Sequence, residues 1–205
     1  MRKFVRLSLV AGASAAVIGG AMVASPTFAA GPGGGECQLD GTANFNPGPG
    51  ANPTGAFSYN FGGTLSGCNS SEAGAPAGGQ IHAGQPITYN GATVALPQAS
   101  GTGSCATGTT KGTSVVQWAD GSTSVIDYTT TSAAAGVVLQ GTVVPSVTGT
   151  DTATGAPVTV TSTRYVADGA AGVLAFEVSD PTQCNTPAGV VSAGIQGVTG
   201  IGHQS

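Results

Sequence analysis

The segments Thr113-Ser114-Val115-Val116-Gln117-Trp118 and Thr123-Ser124-Val125-Ile126-Asp127-Tyr128 are joined by Ala119-Asp120-Gly121-Ser122. Asp-Gly between two β-rich runs is the sequence mark of a two-residue type I′ hairpin turn. The spacing therefore predicts an antiparallel hairpin with Asp120 and Gly121 at its tip. In that register Trp118 faces Thr123 and Val116 faces Val125. Opposed residues share one face of a sheet, so Val116, Trp118 and Val125 fall on one side and Val115, Ile126 and Tyr128 on the other. Both sides are apolar, and the hairpin is expected to be covered on both.

Working outward, extended segments run from Cys37 to Phe45 and from Phe57 to Cys68, parted by the breaker Asn46-Pro47-Gly48-Pro49-Gly50-Ala51-Asn52-Pro53. Further strands are expected at Val137 to Val147, Pro157 to Ala167, Gly172 to Ser179 and Ala188 to about Ile195, with the polar stretch Thr148 to Gly155 as a hairpin loop. No window beyond the first thirty residues or so has helical periodicity. About nine or ten short strands separated by Gly, Pro, Asn and Asp suit a sandwich or barrel. The expected fold is all-β: a single-domain antiparallel β-sandwich, immunoglobulin-like or jelly-roll-like, over residues 36–205. A flexible Gly-rich leader over 30–35 would precede it, and Gly197 to Ser205 would fray.

Only 7% of the 205 residues are charged, against about a quarter in an ordinary soluble chain. That argues against a charge-patterned helical bundle, a coiled coil or a nucleic-acid binder. At the N-terminus, Arg2, Lys3 and Arg6 precede an apolar run from Leu7 to Ala24, and Thr27-Phe28-Ala29 supplies a small-residue exit. This reads as a secretory signal peptide over 1–29, the competing reading being an uncleaved anchor. Cleavage would leave Lys111 and Arg164 against nine acids, two minus nine, a formal charge of −7. Such a chain repels phosphates, so nucleic acid is excluded as a partner. No transmembrane segment is expected after cleavage. A cell-envelope component or a small-molecule ligand is left as the expected partner, and no cofactor motif occurs.

Export places Cys37, Cys68, Cys105 and Cys184 in an oxidising compartment, where two disulfides are the expected state. Four cysteines allow three pairings. If the first two extended segments form an antiparallel hairpin, Cys37 and Cys68 come out opposite one another, which favours Cys37 with Cys68 and Cys105 with Cys184. Metal binding would call for closer ligand spacing, and no metal site is expected.

Catalytic constellations are sparse. No Gly-x-Ser-x-Gly elbow follows the signal, and only His82 and His203 offer an imidazole base. His82 reads first as a strand residue facing solvent. The alternative is a hydrolase pairing it with an acid from a distant strand. Asp127 and Glu177 lie in expected strands and would form a carboxylate pair only if those strands were neighbours. No catalytic residue is assigned. Trp118, Tyr128 and His82 are the candidate ligand contacts, Trp118 because an exposed aromatic on a sheet stacks on ligands and otherwise packs into the core.

Together with the signal segment, the runs Phe61-Gly62-Gly63-Thr64-Leu65-Ser66-Gly67-Cys68 and Val115-Val116-Gln117-Trp118-Ala119-Asp120-Gly121 resemble those of small secreted all-β proteins of unknown function from actinobacteria. In acidity, composition and two disulfides the chain also resembles the immunoglobulin-like apoproteins that carry enediyne antibiotics, with wider cysteine spacings. The expected function is a secreted, non-enzymatic binding or structural module. The alternatives are a hydrolase using His82 and a carrier of a hydrophobic small molecule, the last predicting an apolar cleft between sheets.

Overall fold

The computed structural model describes residues 34–202. The segment expected to be a signal peptide, most of the expected leader, and His203 with the last two residues lie outside them. Thirteen strands carry the described residues: β1 (Gly35–Asn46), β2 (Ala56–Ser70), β3 (Gly79–Ala83), β4 (Pro86–Tyr89), β5 (Ala92–Ala95), β6 (Ala99–Gly103), β7 (Thr107–Trp118), β8 (Thr123–Ala133), β9 (Gly136–Val144), β10 (Ser146–Asp151), β11 (Pro157–Thr161), β12 (Gly169–Glu177) and β13 (Ser192–Gly202). The 3-10 turn Pro181–Asn185 is capped by Asp180, whose carboxylate accepts from the Thr182 amide.

The expected sandwich is replaced by a closed barrel. Pairing runs from β1 through β13, β12, β9, β8 and β7 to β3 and β2, and β2 pairs back onto β1. The position between β7 and β2 is shared end to end. There β3 joins Val116 to Gly63 through Ile81, and β6 joins Lys111 to Ser58 through Ser100. All pairings are antiparallel. Long strands explain the closure. β2 has 15 residues and β1 and β7 have 12 each, long enough for twist to bring the sheet's edges together, and closing a sheet removes its unpaired edges.

Two hairpins leave this barrel, β4–β5 between β3 and β6, and β10–β11 between β9 and β12. They join through Thr150–Ala95 and Asp151–Val94 into an outer four-stranded sheet. Val94 and Val160 from this layer pack with Val115 and Val125 of the barrel, all four fully buried, alongside Ile87 and Leu96. Complete burial of a valine stabilises by roughly 1.5–3 kcal/mol. The β7–β8 hairpin is thus covered on both sides, as its sequence predicts.

Its register, however, differs by one residue. The loop has three residues, with Trp118 N–H donating to Ser122 at 2.9 Å and Gly121 N–H to Trp118 at 3.0 Å. Gly121 takes the positive φ of 84°, whereas Asp120 does not and instead accepts from the Ser122 amide and hydroxyl at 2.9 and 2.6 Å. A type I′ turn needs positive φ at both residues, and the Asp120–Ser122 bonds favour the three-residue alternative. Val115 therefore faces Val125. A one-residue slip exchanges faces: Ile126 and Tyr128 point inward with Val116 and Trp118, and Val125 points outward. The two-residue turn with positive φ at both positions is at Asn90-Gly91, φ 50° and 83°, between β4 and β5.

Other expected boundaries shift too. The extended run after Val137 breaks at Pro145 where the chain leaves the barrel, and the expected Pro157 to Ala167 strand ends at Thr161. The tail expected to fray is ordered as far as Gly202, because β13 lies between β1 and β12 and pairs with both. Both disulfides form as expected, Cys37–Cys68 and Cys105–Cys184. Cys37 sits at an irregularity in the β1–β2 ladder between Glu36 and Gln38.

Candidate functional site: the barrel interior

Inward positions alternate along every barrel strand, as a two-residue period requires, and the two ends of the interior are filled differently. At one end Trp118 is buried, its indole N–H donating to Ser124 Oγ at 2.9 Å while Ser124 Oγ donates to the Arg164 carbonyl at 3.0 Å. Tyr165 meets the indole edge-on at 5.7 Å, and the Arg164 guanidinium lies 5.0 Å over the Tyr165 ring. Arg164 also bonds Glu72 and Asp120 at 3.1 Å each, drawing three loops together.

The other end holds a cluster of rings. Phe45 lies 5.6 Å from Phe57, 5.9 Å from Tyr59 and 5.8 Å from Phe176. Inward-facing glycines give these rings their room: a Cβ at Gly41 would stand 2.6 Å from the Phe61 ring, and one at Gly101 2.5 Å from the Phe57 ring. Rings laid over glycine fill the space that a residue with no side chain leaves open. Beside them a cavity of about 130 Å³ remains, walled by Leu39, Phe57, Tyr59, Ile81, Leu174 and Ile195. Its lining continues to Pro49, Ser104, Cys105 and the exposed Ala134, so it reaches the barrel's rim there. The chain between β1 and β2 crosses this rim, with Cys105 N–H donating to Gly50 and Val190 N–H to Pro49, both at 2.9 Å. The Cys105–Cys184 bond ties the β6–β7 turn to the 3-10 turn at the same end.

A chain of four hydroxyls enters the cavity, whose lining also includes Ser104, Ser114, Ser132 and Thr199. The Tyr59 and Tyr128 hydroxyls lie 2.6 Å apart, Tyr59 also bonds Thr110 Oγ1 at 3.0 Å, and Thr110 bonds Thr130 at 2.7 Å. Burial pushes the Tyr128 phenol well above its ordinary range, and the neighbouring Tyr59 pushes it further. Burial also raises Tyr59, against the bonds from Thr110 and Tyr128. Both stay neutral donors at physiological pH. No carboxylate, imidazole or cation is among the residues lining this cavity.

The three candidate contacts fall in three places. Tyr128 lines the cavity. Trp118 packs at the opposite end, beside a space of only about 30 Å³. His82 is on the outer face of β3, opposite Val115. It is half-buried there, with Nδ1 unbonded and Gln85 as its side-chain partner, and burial lowers its pKa. Asp127 and Glu177 do not meet, because β9 separates β8 from β12, and Asp127 instead accepts from Thr113 at 2.6 Å. Among the described residues no cluster of ligating side chains could hold a metal ion, and no helix is long and apolar enough to cross a membrane.

Phe45, Phe57 and Phe176 are not among the candidate contacts the sequence offers, and Tyr59, a tyrosine suited to surface contact by its sequence, is buried. The alternation Phe57, Tyr59, Phe61 on one strand face was a usable signal. Comparison with family models, curated proteins and solved structures finds no match.

Proposed function

We propose that this protein is an exported binding module that holds a small, uncharged, largely apolar molecule inside the barrel. The observation that carries this reading is the cavity of about 130 Å³ at the ring-lined end, walled mainly by apolar side chains and reaching the rim. Eight-stranded barrels have interiors just wide enough for side chains or for one small ligand, and ligand sites are apolar concavities with a few placed polar groups. The apolar space lies within one barrel rather than between two sheets. The hydrolase alternative draws no support from His82, which sits outside this cavity with an amide as its side-chain partner.

Native mass spectrometry of protein purified without denaturation is the direct test. The expected result is an adduct of fixed small mass in the wild type. Ala83 is fully buried in the cavity wall, and Ala83→Leu, which fills the space, should lose the adduct while staying folded. Wild-type protein with no adduct and no thermal shift toward small aromatic probes would overturn the reading.

A further inference from the structure

The hydroxyls in the cavity specify what the ligand carries, an inference that rests on the binding reading above. Tyr128, Tyr59, Thr110 and Thr130 form an open chain of four hydroxyls joined by three hydrogen bonds. Each hydroxyl has one proton to donate, and each bond uses one. Four protons for three bonds leave one donor over, whichever way the chain is oriented. No other bond is found for these four side chains; both tyrosines are buried, both threonines are half-buried, and all four line the cavity, so the spare donor belongs to its wall. A donor facing an apolar cavity without an acceptor is unfavourable, so an occupant that brings an acceptor is preferred to one that does not.

Size and charge narrow the class. A cavity of about 150 Å³ with an apolar lining holds benzene, so the volume of about 130 Å³ here suits one ring, with a short substituent reaching toward the rim. Phe45, Phe57, Phe61 and Phe176 line the space and offer ring edges and faces, the geometry in which aromatic pairs attract. The described cations, Lys111 and Arg164, are both outside the lining, so no group there would neutralise an anion. We propose that the cavity takes a neutral single-ring aromatic compound bearing a carbonyl, whose oxygen accepts the spare proton of the Tyr128–Tyr59–Thr110–Thr130 chain.

Acetophenone and α-methylstyrene have nearly the same shape and differ by a carbonyl oxygen in place of a methylene, so the pair isolates the acceptor. Titration calorimetry would give both dissociation constants for the wild type and for Tyr59→Phe/Tyr128→Phe/Thr110→Val/Thr130→Val, which removes the four hydroxyls of the chain at nearly constant volume. The wild type should bind acetophenone at least as tightly as α-methylstyrene, and the quadruple variant should favour α-methylstyrene by tenfold or more. The same affinity ratio in both proteins overturns the acceptor inference and leaves the binding reading standing. Binding of neither compound to the wild type overturns both. Should the variant fail to fold, the wild type alone decides, and a tenfold preference for α-methylstyrene sinks the inference.

Discussion

The two ends of the barrel are built from the same alternating strands and the same small residues, yet one is solid and the other hollow. At the solid end a single large side chain, Trp118, is buried, and its one polar atom is matched by Ser124. Arg164 then binds the surrounding loops through Glu72 and Asp120. At the hollow end several rings line the cavity beside Leu39, Ile81, Leu174 and Ile195, and the loops are held by backbone bonds and the Cys105–Cys184 crosslink. Filling one end takes a single well-placed residue with a satisfied donor. Leaving space at the other takes rings spread around an aliphatic wall, with the Tyr128–Tyr59–Thr110–Thr130 hydroxyls inside it.

Removing the crosslinks one at a time tests this contrast most strongly. The two loops do not overlap along the chain, and they span 31 and 79 residues. Loop-closure entropy puts the contribution of the longer near 4.5 kcal/mol and that of the shorter near 3.7, as rough values. Cys105→Ala/Cys184→Ala should therefore lower the urea midpoint more than Cys37→Ala/Cys68→Ala, and it should loosen the hollow end. The reverse order would mean that local packing around the buried Cys37, rather than chain entropy, sets these effects.

Trp118→Ala should cost about 3–5 kcal/mol, the range for emptying a buried aromatic site. Phe57→Ala should cost less, because the Phe57 ring already borders open space and is only half-buried. Equal losses in chemical denaturation would remove the distinction between a packed end and an open one.

The smallest effect is in alkali. Tyr59 and Tyr128 have folded-state pKa values above the ordinary phenol value of 10.0. The folded state therefore keeps its protons where the unfolded state loses them. The stability these phenols contribute is fully present below pH 10 and is lost as pH rises through the raised folded-state values. Stability measured across this range should fall with a slope that Tyr59→Phe/Tyr128→Phe flattens. An unchanged slope in the double variant would show that the two phenols are not linked to folding.

Much of the fold was legible because it depends on local chemistry. Strand class follows from Val, Thr and aromatic runs between Gly and Pro breaks, and the Cys37–Cys68 bond follows from a hairpin with a cysteine on each arm. Register was less legible. The Asp120-Gly121 pair admits two loop lengths, and the Ser122 contacts to the Asp120 carboxylate choose between them. At Asn90-Gly91, where the turn is the expected kind, the same rule applied to the sequence would have succeeded. The site was the least legible part. Tyr128 stood out as an aromatic strand residue, but its partner Tyr59 is 69 positions away, and only pairing through β6 and β7 brings them together.

Composition and short-range pattern alone determined that this chain is all-β, sparsely charged and joined by two disulfides in the order found. The tertiary structure decided that the sheet closes instead of stacking, since closure depends on strand length, twist and the meeting of β1 with both β2 and β13. It also decided where the interior stays open. A cavity is the difference between the volume a barrel encloses and the side chains that happen to converge on it, and no local stretch of sequence contains that difference.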